Sequence, residues 1–291
     1  MSLEGKLLCY GAKRSDARRD AAIALPEGIT EHRDIRYGPY GDFQLLDVCH
    51  PEGAAAPLPT IVNIHGGGYV YGSKEVYRRY CMDLARRGFT VVNFNYRLAP
   101  KWKFPTPLAD INAVLTWVEQ NAHGYRIRKD CIFLVGDSAG AQLASQYAAM
   151  HTNPDYAKLF QLNMAKVQIR GLGLNCGMYD LSQRGSGKRK GIMLDYLGKH
   201  LSAEDPRLQV LENITQSYPP AFITTGTQDF LRHSAQPMCA YLLERGIDAR
   251  WKCYGREDDK AIGHVFHVNI ILPEAMACND DTAAFFQKQI P

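Results

Sequence analysis

CIFLVGDSAGAQLAS, residues 131–145, is the stretch that decides the fold of this chain. Residues 131–135 are apolar and predict a buried strand, and residues 141–145 are small or helix-favouring and predict a helix. The G-x-S-x-G motif between them centres on Ser138. On such a sharp strand-to-helix turn the serine Oγ is exposed at the end of the sheet, beside a helix N-terminus that favours negative charge. The sequence therefore predicts a nucleophilic serine, with a glycine-rich turn and a capping serine as the alternative.

Strand-like and helix-like segments alternate on both sides of this turn. Short apolar runs are separated by helix-like segments of about 10 to 15 residues, which is typical of a mostly parallel sheet covered by helices on both faces. Residues 34–37 and 43–48 flank GPYG and predict an antiparallel hairpin before the parallel part. The predicted fold class is therefore α/β, with a twisted sheet. The predicted strands are 61–64, 89–94, 131–135, 167–174, 221–225 and 249–254, and the predicted helices are 74–87, 107–123, 139–150 and 273–288.

The alternation is interrupted between residues 180 and 219. This stretch is polar, contains glycine and has two possible short helices, residues 192–199 and 204–213. Inserted between two strands of the sheet, it would lie over their carboxyl ends. We therefore predict a single domain with a small helical cap. The domain spans residues 1–291, and the cap comes from about 1–30 and 181–217.

A second glycine-rich motif, HGGG at residues 65–68, directly follows a predicted strand. Successive glycines leave backbone amides unobstructed and adopt conformations that other residues avoid. An acyl-transfer site needs such donors, aimed at the oxyanion that develops on the substrate carbonyl. A phosphate-binding loop is the alternative, but the spacing and the missing Lys-Ser or Lys-Thr pair do not match one. His65 itself is interpreted as a hydrogen-bonding residue that shapes the loop.

HGGG, YRLAP at residues 96–100 and GDSAG at residues 136–140 together closely resemble the hormone-sensitive lipase family of α/β-hydrolases. The resemblance extends from about residue 34 to the C-terminus. It implies the α/β-hydrolase fold and an oxyanion hole formed by the amides of Gly67, Gly68 and Ala139. It also implies that Arg97, in the YRLAP turn, has a structural role and not a catalytic one.

A serine nucleophile needs a base, and the base needs an orienting acid. In this fold the chain order is Ser, then Asp or Glu, then His. GTQDFL, residues 226–231, resembles the family signature G-x-x-D-x-L and predicts Asp229 as the acid, with an ordinary helix N-cap as the alternative. The family usually has His-x-Phe after the last strand, which predicts His264 as the base. His267, three residues on, is its rival.

Three further residues lie next to these motifs. Asp137, inside the GDSAG motif, is interpreted as structural. Tyr69 and Tyr71 follow the HGGG motif directly. They are predicted either to line the substrate pocket or to pack against the cap, and the sequence does not choose between these alternatives.

Composition excludes several other classes of protein. The net charge is only +4, and the densest basic cluster, residues 188–190, is interpreted as a solvated loop, so no nucleic-acid partner is predicted. There is no uninterrupted run of about 18 apolar residues, so no membrane span is predicted. Residues 1–20 are charged throughout and lack the apolar stretch of a signal peptide.

The eight cysteines do not form a Cys-x-x-Cys pair, which gives no support to a zinc site. Several lie in apolar, strand-like runs, where a free cysteine behaves as a small buried hydrophobic residue. These are Cys49, Cys131, Cys176 and Cys253. The pattern predicts a reduced, cytoplasmic setting.

Taken together, these features predict a serine carboxylesterase that hydrolyses small esters of short acyl chains through an acyl-enzyme, with no metal or organic cofactor. The same catalytic groups could serve an amidase, a formamidase or a peptidase. A ligand receptor without hydrolytic activity is a further alternative, although that route usually loses a residue of the triad. The acyl chain, the alcohol and the oligomeric state are left open, with a homodimer as one option.

Overall fold

A computed structural model describes residues 1–181 and 190–291 of the chain. Lys188 and Arg189, from the predicted basic loop, and the rest of residues 182–189, from the predicted cap, lie outside the described residues. In the described part, eight strands form one sheet in the order β1-β2-β4-β3-β5-β6-β7-β8. The strands are β1 Ile29–Arg36, β2 Leu45–Pro51, β3 Leu58–Ile64, β4 Thr90–Phe94, β5 Ile127–Asp137, β6 Ile169–Asn175, β7 Ala221–Gly226 and β8 Ala249–Tyr254.

The direction of the strands confirms the predicted α/β architecture. β2 runs antiparallel to both of its neighbours, β1 and β4, and the other neighbouring pairs are parallel. The central strands are rich in Val, Ile and Leu because parallel strands are buried on both faces. The predicted hairpin is therefore present, as β1 and β2.

Helices cover both faces of the sheet. Residues of α2 and α8 pack with Ile61 and Phe133 on one face, whereas residues of α3, α4 and α7 pack with Val62 and Leu134 on the other. Successive strand residues thus serve opposite hydrophobic clusters, as the two-residue repeat of a strand requires. The helices are α1 Leu3–Ala22, α2 Lys74–Ala85, α3 Thr106–Asn121, α4 Ala139–Thr152, α5 Pro154–Lys158, α6 Gly191–Leu197, α7 Ala235–Leu243 and α8 Pro273–Gln287.

The register of the central strands brings the two glycine-rich motifs together. In the β3–β5 pair Ile64 lies opposite Gly136, and in the β5–β6 pair Asp137 lies opposite Asn175. Residues 65–68 therefore leave the sheet beside the turn at Ser138. A separate parallel bridge joins Gln228 to Gly263 and draws two later loops to the same edge.

Four features differ from the sequence-based expectations. The first twenty or so residues form α1, which was expected as part of a cap but not as a helix. Residues 204–213 form two short 3-10 turns and not one helix. The α5 helix was not predicted. Cys253 is exposed, because β8 is an edge strand that pairs only with β7, whereas Cys49, Cys131 and Cys176 are buried as expected.

No helix in the described part of the chain combines the length and the apolar character needed to cross a bilayer.

Candidate active site

Ser138 occupies a strained turn between β5 and α4. Its backbone has φ 52° and ψ −115°, a conformation that L-residues avoid and that costs about 1–3 kcal/mol. A Cβ at Gly140 would overlap the carbonyl oxygen of Ile64, and one at Gly136 would overlap the carbonyl oxygen of Gly140. The Ser138 amide donates to the Asn175 carbonyl at 2.9 Å, which ties the turn to β6. The glycines are thus required by close backbone packing, and the packing holds the serine in its strained conformation.

His264 lies directly against this serine. Its Nε2 is 2.9 Å from Ser138 Oγ, and its Nδ1 is 2.7 Å from Asp229 Oδ1. The bridge between Gln228 and Gly263 aligns the two loops that carry the acid and the histidine. Phe266 is buried against Tyr254, with ring centroids 5.6 Å apart, and anchors the loop just after the histidine. The structure therefore brings the three predicted residues into one hydrogen-bonded chain.

Asp229 is buried and accepts several hydrogen bonds. Besides His264, the Leu231 amide donates to Oδ1 at 2.9 Å and the Thr225 hydroxyl donates to Oδ2 at 2.8 Å. Burial opposes ionisation of the carboxyl, but the hydrogen bond and charge of His264 and the two other donors outweigh it, so the pKa of Asp229 lies below its usual value. An ionised Asp229 fixes the His264 tautomer with the proton on Nδ1, which leaves Nε2 to accept the serine proton.

His267, the alternative base, has a different environment. It is 1% exposed, and its ring packs edge-on against Tyr80 of α2 with ring centroids 5.2 Å apart. Burial lowers its pKa to about 3, so the ring is neutral. Its carbonyl accepts a hydrogen bond from the Asn279 side chain of α8 at 3.1 Å. These contacts make His267 part of the packing between α2 and α8.

The HGGG loop passes next to Ser138 with unusual backbone geometry. Gly67 has φ +113° and Gly68 has φ +60°, and a Cβ at Gly67 would overlap the carbonyl oxygen of Tyr71. In the described part of the chain, the amides of Gly67, Gly68 and Ala139 donate to no protein acceptor. Ala139 is the first residue of α4, where a helix leaves its amides without intrahelical partners. All three predicted oxyanion donors are thus available for a ligand.

His65 and Tyr96 pack against each other and against the backbone of the HGGG loop. The His65 ring stacks on Tyr96 with centroids 4.1 Å apart, and its Nδ1 lies 2.8 Å from the Gly66 carbonyl oxygen. The Tyr96 hydroxyl donates to the His65 carbonyl at 2.9 Å. Complete burial lowers the pKa of His65 to about 4. His65 is therefore a neutral hydrogen-bond donor within the loop, in agreement with its structural interpretation.

Arg97 likewise serves the loops around the site. Its guanidinium binds the fully buried Asp110 carboxylate at 2.7 Å, and the Arg97 amide donates to the same carboxylate at 2.8 Å. The guanidinium also lies over the ring of Tyr40. The side chain fixes the YRLAP turn to α3 and takes no part in the Ser138 contacts.

A cavity of about 330 Å³ opens onto Ser138 and His264. Residues 65–68, 136–140 and 263–265 form one side of the cavity, which we call the floor. The helices α1 and α6 form the facing side, which we call the wall. Sequence analysis placed residues 1–30 in the cap without naming the side chains that face the site. A spacing of three or four residues along α1 was the signal that could have found them. The α1 residues at the cavity are Glu4, Leu8, Ala12, Ser15, Asp16 and Arg19, and those of α6 are Ile192 and Met193.

Tyr69 and Tyr71 both line the cavity and also contact its helical wall. Tyr69 stacks on Tyr196 of α6 at 3.7 Å between ring centroids, and its hydroxyl donates to Gln142 at 3.0 Å. The Tyr71 hydroxyl donates to the Asp16 carboxylate of α1 at 2.8 Å. Tyr69 and Tyr71 therefore do both of the things that the sequence left as alternatives, since they line the pocket and also pack against the helices that cover it.

Phe230 is a lining residue that sequence analysis missed. Its ring lies 4.2 Å from the His264 ring, centroid to centroid, and 69% of the residue is exposed at the mouth of the cavity. It directly follows Asp229, so its place in the GTQDFL motif was the available signal.

One group of possible metal ligands includes two of the three predicted catalytic residues. The ligand atoms of Cys176, Asp229 and His264 lie within 4.8 Å of one another. Burial raises the pKa of Cys176 well above its usual value, which keeps a thiol and not the thiolate that metals bind. The imidazole and the carboxylate already share a hydrogen bond. The chemistry of this group fits a proton-transfer chain better than a metal site.

A protein-family model and a curated relative both match this chain. The sequence model of a family described as having the alpha/beta hydrolase fold matches residues 61–267. Esterase LipQ of Mycobacterium tuberculosis is 26% identical over 244 residues, which are 78% of this chain and 57% of that protein. The chain spans about three fifths of the length of the curated relatives it matches.

Solved structures of two esterases are also similar. Esterase B from Lactobacillus rhamnosis, in a complex with a tributyrin phosphonate inhibitor, is 25% identical with a TM-score of 0.87 over 98% of this chain and 94% of that one. An esterase from Rhizomucor miehei is 26% identical with a TM-score of 0.74 over 99% and 91% of the two chains.

Proposed function

The chain belongs to the alpha/beta hydrolase fold family, within which it is hormone-sensitive lipase-like, and on that premise we propose that it is a serine carboxylesterase acting on small esters. One observation carries the proposal. Ser138, His264 and Asp229 are linked by contacts of 2.9 and 2.7 Å, in the chain order that this fold uses. The esterases among the similar proteins support the same reaction class.

The proposed reaction is a two-step acyl transfer. His264 Nε2 takes the proton from Ser138 Oγ as that oxygen attacks the ester carbonyl carbon. The carbonyl oxygen becomes an oxyanion and accepts hydrogen bonds from the amides of Gly67, Gly68 and Ala139. When the tetrahedral intermediate collapses, the C–O bond to the alcohol breaks and His264 returns the proton to the leaving alkoxide.

A water molecule completes the second step. His264 takes a proton from the water, whose oxygen attacks the acyl-enzyme carbonyl. Collapse of the second tetrahedral intermediate breaks the bond to Ser138 Oγ, which recovers its proton from His264. The carboxylic acid leaves and the enzyme is restored. Asp229 stays ionised throughout and holds the imidazole in position.

The substrate preference proposed is for short acyl chains. The cavity of about 330 Å³ lies at the small end of the range for ligand pockets. We propose that α1 and α6 are the described part of a cap over a single catalytic domain, and that this cap limits the acyl chain. Leu8 and Ile192 support this assignment, because their side chains would lie 3.0 and 3.4 Å from a Cβ placed on Gly68.

A series of p-nitrophenyl esters from acetate to palmitate tests the proposal. We expect the largest kcat/KM for C2 to C6 chains and a decline towards C12 to C16. The matched p-nitroanilides, measured in parallel, test the amidase and peptidase alternatives. Hydrolysis of anilides at rates near those of the esters would contradict the esterase assignment, and hydrolysis of neither would favour a receptor.

Three other expectations remain proposals. A cytoplasmic location is supported by the eight unpaired cysteines, six of which are buried. A small-molecule ester is the partner proposed, and no nucleic acid. The homodimer stays an option that sedimentation would test.

A further inference from the structure

A buried hydrogen-bond cluster joins the Ser138 turn to the HGGG loop. Asp137, the residue before Ser138, is 1% exposed. Its Oδ1 accepts the Gly66 amide at 3.2 Å, and its Oδ2 accepts the Tyr77 hydroxyl of α2 at 2.8 Å. The Tyr77 oxygen lies 3.1 Å from the same Gly66 amide, which therefore donates to both partners. Three segments of the chain thus meet at one carboxylate.

The packing around this cluster leaves little freedom. A Cβ at Gly66 would overlap Asp137 Oδ2, so the carboxylate lies directly against the loop backbone. Gly66 immediately precedes Gly67, whose amide is a proposed oxyanion donor, and Asp137 immediately precedes Ser138. A shift of the carboxylate therefore changes the distance between the nucleophile and the donors, and catalysis is sensitive to displacements of about 1 Å.

We propose that Asp137, acting through Tyr77 and the Gly66 amide, is a positioning residue that keeps the oxyanion donors in register with Ser138, and that only its ionised form does so. This inference rests on the proposed esterase function. An ionised carboxylate accepts both the amide and the hydroxyl. A protonated one must donate its own hydrogen to a neighbour. It then competes for the Tyr77 oxygen and weakens the link to Gly66.

Burial raises the pKa of Asp137 far enough for the carboxylate to be protonated at mildly acidic pH. Burial raises the pKa of Asp137 to about 6, against the opposing effects of the Tyr77 hydrogen bond, the His264 charge and the Gly66 amide. Asp16 of α1 adds a second carboxylate that raises the pKa further. The other titratable groups facing Asp137 have pKa values raised well above their usual ranges by burial and stay neutral: Tyr77, Tyr80 and Cys81 of α2, and Tyr96.

The pH dependence follows from the direction of this shift. Asp137 is half ionised at about pH 6, becomes fully ionised only well above that pH, and loses its charge as the pH falls through about 6. Protonation of Asp137 should therefore lower kcat as the pH falls through about 6, and the size of this decrease should match the loss caused by Asp137→Asn.

Tyr77→Phe and Asp137→Asn test the proposal, with Tyr80→Phe as the control. Tyr80 lies one turn away on α2 and is as deeply buried, but outside the cluster. We expect kcat to fall about tenfold in Tyr77→Phe and about 10- to 100-fold in Asp137→Asn, with KM within about twofold, because transition-state donors are misplaced while ground-state contacts remain. Tyr80→Phe should keep the wild-type kcat. In Asp137→Asn kcat should fall less steeply near pH 6 than in the wild type.

An NMR titration gives a readout independent of turnover. In a His264→Ala background, which removes the neighbouring imidazole, we expect the Gly66 and Gly67 amide shifts to titrate near pH 6, and the additional Asp137→Asn change to abolish that titration. Equal kcat in Tyr77→Phe and Tyr80→Phe, or amide shifts unaffected by Asp137→Asn, would overturn the proposal. An inactive wild-type protein whose amides still titrate would instead contradict the esterase function alone.

Discussion

The floor and the wall of the cavity are built in different ways. The floor, residues 65–68, 136–140 and 263–265, is held by backbone contacts so close that a Cβ at Gly136 or Gly140 would overlap a carbonyl oxygen. The wall, α1 and α6, is joined to the molecule largely through side chains. The Ser2 hydroxyl at the start of α1 donates to Asp195 of α6 at 2.6 Å and joins the two helices of the wall, and the Arg19 guanidinium of α1 donates to the Val76 carbonyl of α2 at 2.8 Å. We therefore expect the floor to determine the chemistry and the wall to determine the choice of substrate.

Loss of the nucleophile should have the largest effect on the floor. In Ser138→Ala we expect kcat for p-nitrophenyl acetate to fall by about 10⁴- to 10⁶-fold, because only the oxyanion donors and binding remain. The removed hydroxyl contributes little to the core, so the melting temperature should stay near that of the wild type. An organophosphate reagent should label Ser138 in the wild type, and labelling of another residue, or an active mutant, would contradict the triad.

Replacing each of the two histidines in turn should show which one acts as the base. His264→Ala should lower kcat by several orders of magnitude while leaving the fold intact. His267→Ala should lower kcat about tenfold or less, through small displacement of the loop. Because it empties a fully buried site, it should also lower the free energy of unfolding by about 1–3 kcal/mol. Measured kcat values and urea unfolding curves test both expectations, and a large kcat loss confined to His267→Ala would transfer the role to that residue.

An added methyl group in the oxyanion loop should have an intermediate effect. In Gly67→Ala the new Cβ would overlap the Tyr71 carbonyl oxygen, and φ +113° is unfavourable for alanine. The loop must move, and we expect kcat to fall about 10²- to 10³-fold, as when one oxyanion donor is lost. Gly124→Ala, where a Cβ meets nothing within 4 Å, is the control and should keep its activity. Similar kcat values for the two variants would mean that the floor is less rigid than its packing indicates.

Changes in the wall should have the smallest effect and a different kind of effect. Leu8→Ala should leave kcat/KM for the acetate within about twofold but raise it several-fold for C8 to C10 esters, because it removes a side chain from the cavity wall. Leu7→Ala is the matched control, since Leu7 is 62% exposed on the same helix and does not line the cavity. If both variants have the wild-type chain-length profile, the wall does not select the acyl chain.

The floor was largely predictable because its requirements are local. A G-x-S-x-G motif between an apolar run and a small-residue helix indicates the turn at Ser138 without reference to the rest of the fold. The same holds for the glycines of the HGGG loop. The histidine was less certain, since His264 and His267 follow the same strand. The 2.9 Å contact between His264 Nε2 and Ser138 Oγ and the burial of His267 show which ring faces the serine.

The wall could not be predicted in this way because its contacts join distant segments. Tyr71 and Asp16 are 55 residues apart in sequence, and Asp195 and Ser2 are 193 apart. The cavity-lining residues of α1 recur at a spacing of three or four but include both apolar and charged side chains, so they do not form the uniform apolar face by which a packed helix is recognised.

The sequence by itself determined the fold class and the serine turn, and it predicted an oxyanion loop and the order of a catalytic triad. These depend on steric and hydrogen-bonding demands within a few consecutive residues, which leave a motif. Tertiary structure alone decided which side chains of α1 line the cavity, that His267 packs against Tyr80 instead of facing the serine, and that Asp137 meets the HGGG loop. Each of these depends on the registers and paths by which separate segments reach one edge of the sheet, and such long-range packing leaves no local pattern in the chain.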